Sequence, residues 1–269
     1  MEKKICGNDK KDETMVKEIV GYWSKRSESF SEGVLKMLYG EKKSEWENLI
    51  YSKINKKASL KILDVGCGPG AFSILLGLNP NYEITGIDAY EEMLEQARKN
   101  AVALNSKAEF IKSEADEIDF DDESFDIIIS RNVTWNLMQP ERGYKNWYKL
   151  LKKGGMLLNF DANWYHYLYS EEARKKKEEI DKLNLTDPDP SHKSLSEEMK
   201  KKMEDLARDM PLSRENRPFW DFKALADTGF KMIDFNLDIG NMIYTEMERK
   251  RYSTTPIFII TQRDRKSVV

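Results

Sequence analysis

Continuous apolar runs alternate with helical hydrophobic patterns through the middle of the chain. The apolar runs predict buried strands at 60–65, 82–88, 108–113, 125–130 and 156–160. Apolar residues recur at helical spacing between them, in 71–78, 90–104 and 141–151, and the pair Gly154-Gly155 predicts a stop before the fifth strand. This alternation is typical of an α/β fold in which helices cover both faces of a parallel sheet.

The end of the chain has a different pattern. A helix is predicted over 220–228, ending at Gly229, and two strands follow at 230–239 and 255–263. The segment between these strands is too short for an ordinary crossover helix, and its charged stretch 245–251 is predicted to be a loop. The last two strands should therefore pair as an antiparallel hairpin.

Two regions lie outside this core pattern. Residues 1–56 carry helical spacing, as in Met15, Ile19 and Trp23, and predict an N-terminal helical cap. The core is assigned to 57–161 and 218–269, which leaves 162–217 as an insertion.

The insertion is predicted to contain two helices. In 171–209, 22 of 39 residues are charged, yet apolar residues recur at 195, 199, 203, 206 and 210. Ser194 with Glu197 offers a capping box for this second helix, and 187–190 separates it from an earlier helix at about 171–183. Because ligands of open α/β sheets bind at the carboxyl ends of the strands, where the insertion emerges, we expect a helical lid with the N-terminal helices as its other wall. A solvated helical appendage is the alternative.

Composition and charge limit the binding partners that this protein can be expected to have. Of 269 residues, 34% are charged, the net charge is −3, and acidic and basic residues are interspersed, which gives no general attraction to nucleic acid. The apolar runs are shorter than a membrane span, and the N-terminus lacks a secretory pattern, so a cytoplasmic protein is expected.

The two cysteines, Cys6 and Cys67, support no disulfide framework. Because the histidines are only His166 and His192, we expect no metal site. Cys67 is expected to pack under a loop rather than to act as a nucleophile.

The candidate ligand site begins where the first strand ends. Gly66, Gly68 and Gly70 follow that strand at alternate positions and allow a sharp turn with close approach to a ligand. Asp88 ends the next strand about twenty residues later, the spacing at which a βαβ unit places a carboxylate on ribose hydroxyls. An adenosine-like ligand is indicated, and a glycine turn without a ligand is the alternative.

The segment Asp64-Val65-Gly66-Cys67-Gly68-Pro69-Gly70 decides which ligand fits. Its glycine spacing differs from the dinucleotide pattern, and a carboxylate at Asp64 would repel phosphate but attract an ammonium or sulfonium group. The segment resembles motif I of class I S-adenosylmethionine-dependent methyltransferases. The resemblance implies a Rossmann-like, seven-stranded methyltransferase sheet, mostly parallel with the last strand antiparallel. It places Asp64 near the amino-acid end of S-adenosyl-L-methionine, the glycines along its methionine and ribose, and Asp88 on the ribose, with Ala89, Tyr90 and Met93 next to the adenine.

Two later segments extend the resemblance. Residues 113–120 resemble the family's loop after the third strand, which puts Glu114 on the adenine amino group and the Ala115 N–H on a ring nitrogen. Glu114 stands where the family has Asp, and Asp119 where it has Pro, so Asp116 competes for the amino contact. Residues 130–137 match the motif IV region, with Arg131 and Asn132 beside the methionine part. Trp135 would stabilise the sulfonium or a cationic acceptor, or else belong to the core.

The remaining candidates concern the methyl acceptor and closure of the site. Polar and aromatic residues follow the fifth strand, and we expect Asn159, Asn163, Trp164 and Trp135 to recognise the acceptor. The candidate bases are Asp161, Tyr165 and His166. An exposed loop entering the lid is the alternative. Tyr22, Arg26 and Phe30 share one predicted helix face and resemble the aromatic segment that closes over the cofactor, where Arg26 would pair with the methionine carboxylate.

Together these features predict methyl transfer from S-adenosyl-L-methionine to a small molecule, giving S-adenosylhomocysteine. An RNA or protein methyltransferase is an alternative, although the mixed-charge insertion supplies no basic, aromatic surface for RNA. A protein that binds the cofactor without turnover is another. Neither a nucleic-acid nor a membrane partner is expected, and the oligomeric state and the acceptor stay open.

Overall fold

The computed structural model describes residues 8–183, 185 and 195–263 and contains one seven-stranded sheet. Its strands are β1 (Leu60–Val65), β2 (Tyr82–Asp88), β3 (Glu109–Lys112), β4 (Phe125–Arg131), β5 (Leu151–Asp161), β6 (Met232–Asn236) and β7 (Phe258–Arg263). The order is β3-β2-β1-β4-β5-β7-β6. Strands β1 to β5 pair in parallel, and β7 pairs antiparallel with both β5 and β6. The predicted sheet and its terminal hairpin are confirmed.

Helices precede, connect and follow these strands. They are α1 (Asn8–Ser24), α2 (Ser27–Tyr39), α3 (Lys42–Tyr51), α4 (Ala71–Gly77), α5 (Glu91–Ala103), α6 (Pro140–Leu150), α7 (Glu171–Asp181), α8 (Glu197–Asp209), α9 (Phe219–Thr228), α10 (Gly240–Ile243) and α11 (Glu246–Arg251). Single 3₁₀ turns occur at Thr134–Asn136, His166–Leu168 and Pro211–Ser213. No helix among the described residues combines the length and the apolar character that crossing a membrane requires.

Alternate residues of the strands enter two separate apolar clusters, because successive side chains of a strand point to opposite faces. One cluster joins Ile62 and Phe160 of the sheet to α2, α3 and α4, where Trp46 and Phe72 pack edge to face. The other joins Leu63 and its neighbours to α6 and α9. The sheet is therefore covered on both faces, as the alternating pattern predicts.

Two local predictions are wrong. Gly154 and Gly155 do not stop the chain but lie inside β5, which starts at Leu151; the pairing with β4 shifts register there, and Gly154 has a φ of +81° that suits such an irregularity. The charged stretch 245–251 is not a loop but contains α11. Thr245 and Glu248 form a reciprocal capping box at the start of this helix, a signal present in the sequence that charge composition obscured.

The insertion supplies α7 and α8, which differ in how they pack. Helix α7 buries no residue, whereas α8 buries Met203 and Leu206 against Met15 and Ile19 of α1. The predicted amphipathic helix is confirmed, but its N-cap is Ser196, whose side chain accepts the Met199 N–H at 3.2 Å. The proposed capping residue Ser194 and the breaker 187–190 lie outside the described residues, as do Cys6 and His192.

Candidate functional site

The three glycines after β1 adopt left-handed backbone conformations, with φ of +65°, +52° and +90° at Gly66, Gly68 and Gly70. A Cβ on Gly66 would lie 2.3 Å from Val133 Cγ2, so this glycine is required by packing. A Cβ on Gly68 would meet nothing within 4 Å. The turn thus exposes bare backbone at its middle glycine, where a ligand can approach closely.

Asp88 lies across from this glycine at the carboxyl end of β2. Its Oδ2 accepts the Gly68 N–H at 2.9 Å and its Oδ1 accepts the Tyr90 N–H at 3.0 Å. Burial raises the pKa of Asp88 to about 6, against the lowering effect of these two hydrogen bonds. Each oxygen keeps a further lone pair, so the carboxylate can accept from two ligand hydroxyls as well.

Asp64 lies beneath the turn and fixes the start of α4. Its Oδ2 accepts from the backbone N–H of Ser73 at 2.8 Å and from the Ser73 hydroxyl at 2.6 Å. Burial raises the pKa of Asp64 to about 6, while the nearby charge of Arg131 lowers it. Cys67 is also buried, and burial raises the pKa of its thiol well above the usual range, so packing explains this residue as expected.

The predicted adenine contacts collect beside Asp88. Met93 is buried in the first turn of α5. Burial and the charge of Asp88 raise the pKa of Tyr90. The charge of Glu114 also raises the pKa of both Asp88 and Tyr90. Asp116 is influenced instead by Arg142. Of the two competing acids, only Glu114 contributes to the raised pKa of Asp88 and of Tyr90. Ala89 and Ala115 are half-buried. The Ala115 carbonyl accepts from the Trp147 indole N–H at 2.7 Å.

The turn after β4 brings Trp135 toward the same edge of the sheet. Asn132 has a φ of +60°, and its carbonyl accepts from the Trp135 indole N–H at 3.0 Å. The Trp135 ring is 5.2 Å from the ring of Tyr165 and 6.3 Å from that of Trp23. Arg131 points to the other side, with its guanidinium 4.7 Å from the centre of the Phe72 ring. Trp135 is thus buried among aromatic rings and not exposed to solvent.

Tyr22, Arg26 and Phe30 come together, but not on one helix face as predicted. Tyr22 belongs to α1 and Phe30 to α2, and Arg26 lies at the junction, where its N–H bonds the Trp23 carbonyl at 2.9 Å. The Arg26 guanidinium is 4.5 Å from the centre of the Phe30 ring and donates to Tyr22 Oη at 3.1 Å. The helix break and the buried cation are tertiary features that the spacing alone did not indicate.

A buried polar network, which we call the Arg217 network, connects the strand ends to the end of the insertion. It consists of Thr134, Tyr144, Asn159, Asp161, Arg217 and Asp221, all buried. Arg217 Nε and Nη2 donate to the two oxygens of Asp221 at 2.8 Å, and Nη1 donates to Asp161 Oδ2 at 2.9 Å. Burial disfavours the charged guanidinium, yet Asp161 and Asp221 outweigh burial and hold the pKa of Arg217 well above its usual range.

Two predicted acceptor-site residues belong to this network, which argues against their predicted roles. Asp161 is fully buried; Oδ2 accepts from Thr134, Trp135 and Arg217, and Oδ1 accepts the Ala162 N–H. It is therefore unsuited to removing a proton from an acceptor. Asn159 is equally buried, and its amide donates to Tyr144 Oη at 3.1 Å. Sequence patterns missed Arg217, Asp221, Thr134 and Tyr144. Arg217 meets Asp161 and Thr134 across separate elements, as Tyr144 meets Asp221. Arg217 and Asp221, four residues apart, form the local pair that a sequence pattern could have found.

Buried polar atoms without a hydrogen-bond partner mark the segments around Trp135. In the described part of the chain there are nine such side-chain atoms. Six belong to these segments: Trp23 Nε1, Asn136 Oδ1, Asn163 Oδ1, Trp164 Nε1, His166 Nδ1 and Ser213 Oγ. Buried polar groups are normally paired, so the concentration of unpaired atoms distinguishes these segments from the rest of the described residues. Tyr165 lies in the same region, and burial raises the pKa of its hydroxyl.

The sheet order, the glycine turn and the acid at the carboxyl end of β2 define the fold of a class I S-adenosylmethionine-dependent methyltransferase. A family model described as a methyltransferase domain matches residues 56–217. The match covers more than half of the chain, and the protein belongs to this family. The resemblance indicated by motif I is thereby confirmed.

Similar proteins act on different acceptors, according to their names. Phosphoethanolamine N-methyltransferase 3 of Arabidopsis thaliana is 31% identical over 108 residues, 40% of this chain and 22% of the relative. Sterol 24-C-methyltransferase of Candida albicans is 31% identical over 112 residues, 41% of this chain and 30% of the relative. The chain thus aligns with less than a third of the length of either relative.

A solved structure supports the fold. Phosphoethanolamine N-methyltransferase 2 of Haemonchus contortus, in complex with S-adenosyl-L-methionine, is similar with a TM-score of 0.57 and 14% identity. The similarity covers 87% of this chain and 57% of that chain. It extends beyond the residues that the family model matches and includes most of the present fold.

Proposed function

We propose that this protein transfers a methyl group from S-adenosyl-L-methionine to a small molecule. One observation carries the proposal: the buried Asp88 carboxylate is held by the Gly68 N–H at the open middle of the glycine turn. A carboxylate in this position accepts from both ribose hydroxyls, and charge-assisted hydrogen bonds are the strong ones. Asp64 below the turn adds negative charge that favours a cationic ligand over a phosphate.

The other predicted contacts extend from this point. Tyr90, Met93, Glu114 and the Ala115 N–H would surround the adenine. Gly66, Gly68 and Gly70 would line the ribose and methionine. Asp64 and the backbone of Arg131 and Asn132 would lie on the methionine side. Arg26 remains a candidate for the methionine carboxylate, since it is buried beside Tyr22 and Phe30. When bound, the cofactor supplies an activated methyl group on a sulfonium, and these residues would orient it and exclude water.

The acceptor would bind on the Trp135 side of the cofactor. Asn163, Trp164 and His166 each have a buried polar atom without a partner there, which supports recognition of a small polar molecule. If the acceptor must lose a proton, His166 is the better base, because Tyr165 holds its proton more tightly than an exposed tyrosine. The relatives named for phosphoethanolamine and sterol methylation support a small-molecule acceptor without choosing among such molecules.

The insertion would act as the lid of this site. Met203 and Leu206 of α8 pack in one apolar cluster with α1 and Trp135, so the helix lies beside the proposed acceptor region. In this arrangement α1 forms the opposite wall. Such closure would keep water from the reacting groups.

Calorimetric titration with S-adenosylhomocysteine tests the cofactor assignment. Wild-type protein is expected to bind in the micromolar range, and Asp88→Asn is expected to bind at least about tenfold more weakly, because hydrogen bonds to a charged group contribute about 1.5–3 kcal/mol. Asp126→Asn is a matched control: Asp126 also accepts a backbone N–H, that of Lys61 at 2.9 Å, but near the opposite end of the sheet. Absence of binding by the wild type, or equal affinity of D88N and D126N, would contradict the assignment.

Incubation with methyl-labelled cofactor and fractionated cell extract tests the acceptor class. Label in small molecules supports the proposal, and label in RNA or protein overturns its acceptor part. Cofactor binding without transfer of label to any fraction would favour a cofactor-binding protein without turnover.

A further inference from the structure

Arg217 joins the two ends of the insertion through its side chain. Asp161 ends β5 immediately before the insertion begins, and Arg217 is the last residue of the insertion. The guanidinium and the Asp161 carboxylate are both fully buried and 2.9 Å apart. A further hydrogen bond, from Asn163 Nδ2 to the Arg217 carbonyl at 2.9 Å, ties the first residues of the insertion to its last.

The same contacts reach the turn that carries Trp135. Arg217 Nη2 donates to Thr134 Oγ1 at 2.6 Å, and the Trp135 N–H donates at 3.0 Å to the Asp161 oxygen that Arg217 binds. One guanidinium therefore holds the end of β5, the turn after β4 and Asp221 at the start of α9. The planar fork of arginine can serve three such directions at once, which a lysine ammonium on a flexible stem does not reproduce.

Stability alone does not require this arrangement. Burying one cation with two carboxylates has a large desolvation cost, and well-packed apolar residues often stabilise a core equally well. What the network provides is a defined position for each segment. We propose that Arg217 is a positioning residue that couples the placement of the insertion to that of the Trp135 turn. Trp135 shares an apolar cluster with Tyr90, which follows Asp88 closely in the chain. The coupling therefore extends to the cofactor site, and in this respect it rests on the proposed function.

Two substitutions at position 217 test the coupling. Arg217→Lys keeps the charge but loses the fork, and Arg217→Met loses both. We expect the Trp135 backbone amide to exchange with solvent at least tenfold faster in R217K, measured by NMR, and faster still in R217M. Affinity for S-adenosylhomocysteine, measured by calorimetry, should fall at least fivefold in R217K and further in R217M. The part of the effect that lysine restores relative to methionine reports the charge, and the part that lysine does not restore reports the directed hydrogen bonds of the fork.

A control separates positioning from general destabilisation. Glu248 is buried and paired with Lys42, which links α11 to α3 outside the Arg217 network. Glu248→Gln is expected to lower the melting temperature while leaving Trp135 amide exchange and S-adenosylhomocysteine affinity within twofold of wild type. If the position 217 variants do not fold, Thr134→Val removes one hydroxyl of the network and should accelerate Trp135 exchange in the same direction.

The outcomes distinguish this inference from the proposed function. If the Trp135 amide exchanges at the wild-type rate in R217K, the positioning role is overturned, whatever the ligand. The same result in T134V overturns it if R217K does not fold. Faster exchange with unchanged S-adenosylhomocysteine affinity would overturn the coupling to the cofactor site. If the wild type does not bind S-adenosylhomocysteine, the proposed function fails, while Trp135 exchange still tests the role of Arg217 in the turn.

Discussion

At the scale of single residues, Asp64 and Asp88 lie beneath and beside the glycine turn, and burial raises the pKa of each to about 6. The charge of Asp88 contributes to the raised value at Asp64. An unperturbed aspartate titrates near about 3.9. Protonated Asp64 and Asp88 therefore stabilise the free protein, and this contribution is lost as pH rises from about 4 through about 6.

Cofactor binding is expected to depend on pH in the opposite direction. Ionised carboxylates are the forms that accept from ribose hydroxyls and attract a cation, so protonation below about pH 6 competes with binding. Affinity for S-adenosylhomocysteine should be about tenfold weaker at pH 5 than at pH 7.5 for each group that must ionise. Calorimetric titrations across this range measure how the affinity changes with pH, and the affinity of D88N should change less than that of the wild type. Constant affinity from pH 5 to 8 would rule out the role given to these carboxylates.

The glycine turn offers a matched pair of substitutions. Gly68→Ala places a methyl group in open space and should cost about 1–3 kcal/mol of stability through backbone strain alone. It should nevertheless weaken S-adenosylhomocysteine binding at least about tenfold, since the methyl group occupies the space assigned to the ligand. Gly66→Ala carries similar strain plus the clash with Val133, so its loss of stability should be larger. Denaturant unfolding and calorimetry together measure both effects, and undiminished affinity in G68A would refute the ligand placement.

At the scale of elements, the contact between α1 and α8 joins the N-terminal cap to the insertion. Met203 contributes a side chain that is 1% exposed, packed in one cluster with Met15, Ile19 and Trp135. Helix α7 has no buried residue, so α8 anchors the described part of the insertion. The polar composition of the segment conceals this division of roles between its helices.

Truncation of Met203 should therefore be costly. Met203→Ala is expected to lower the free energy of unfolding by about 2–5 kcal/mol, the range for buried methionine truncated to alanine. Met247 on α11 is 52% exposed, and Met247→Ala should change stability by less than about 0.5 kcal/mol. Urea unfolding of both variants measures the difference. Equal stability of the two would mean that α8 does not pack on α1 as described.

At the scale of the whole molecule, the candidate chemistry lies at one edge of the sheet. Asp88, Arg131 and Asp161 each end a strand, and Asp64 is the penultimate residue of β1. Since the carboxyl ends of parallel strands meet at the same edge, a short series of motifs converges on one site. The N-terminal helices and the insertion, distant in sequence, meet over this edge through α1 and α8.

Most of the sheet could be predicted because its signals are local. Buried parallel strands have continuous apolar runs. The antiparallel hairpin was predicted because the segment before β7 leaves no room for a crossover helix of ordinary length, and that segment holds only the short helices α10 and α11. The two misjudged segments also had local causes. Gly154 and Gly155 support a register shift as well as a stop, and the Thr245–Glu248 capping box was overlooked within a run of charges.

The sequence by itself determined the class of fold and picked out Gly66, Gly68 and Asp88 as candidates for cofactor binding, because backbone conformation and strand ends follow from short motifs. Only the tertiary structure decided that Asp161 and Asn159 serve a buried network, that Arg217 is its centre, and that Arg26 lies at a helix junction. The physical reason is distance along the chain: Arg217 pairs with Asp161, which is 56 positions away, and with Thr134, which is 83 positions away. A hydrogen bond between such residues leaves no periodicity for a sequence pattern to reveal.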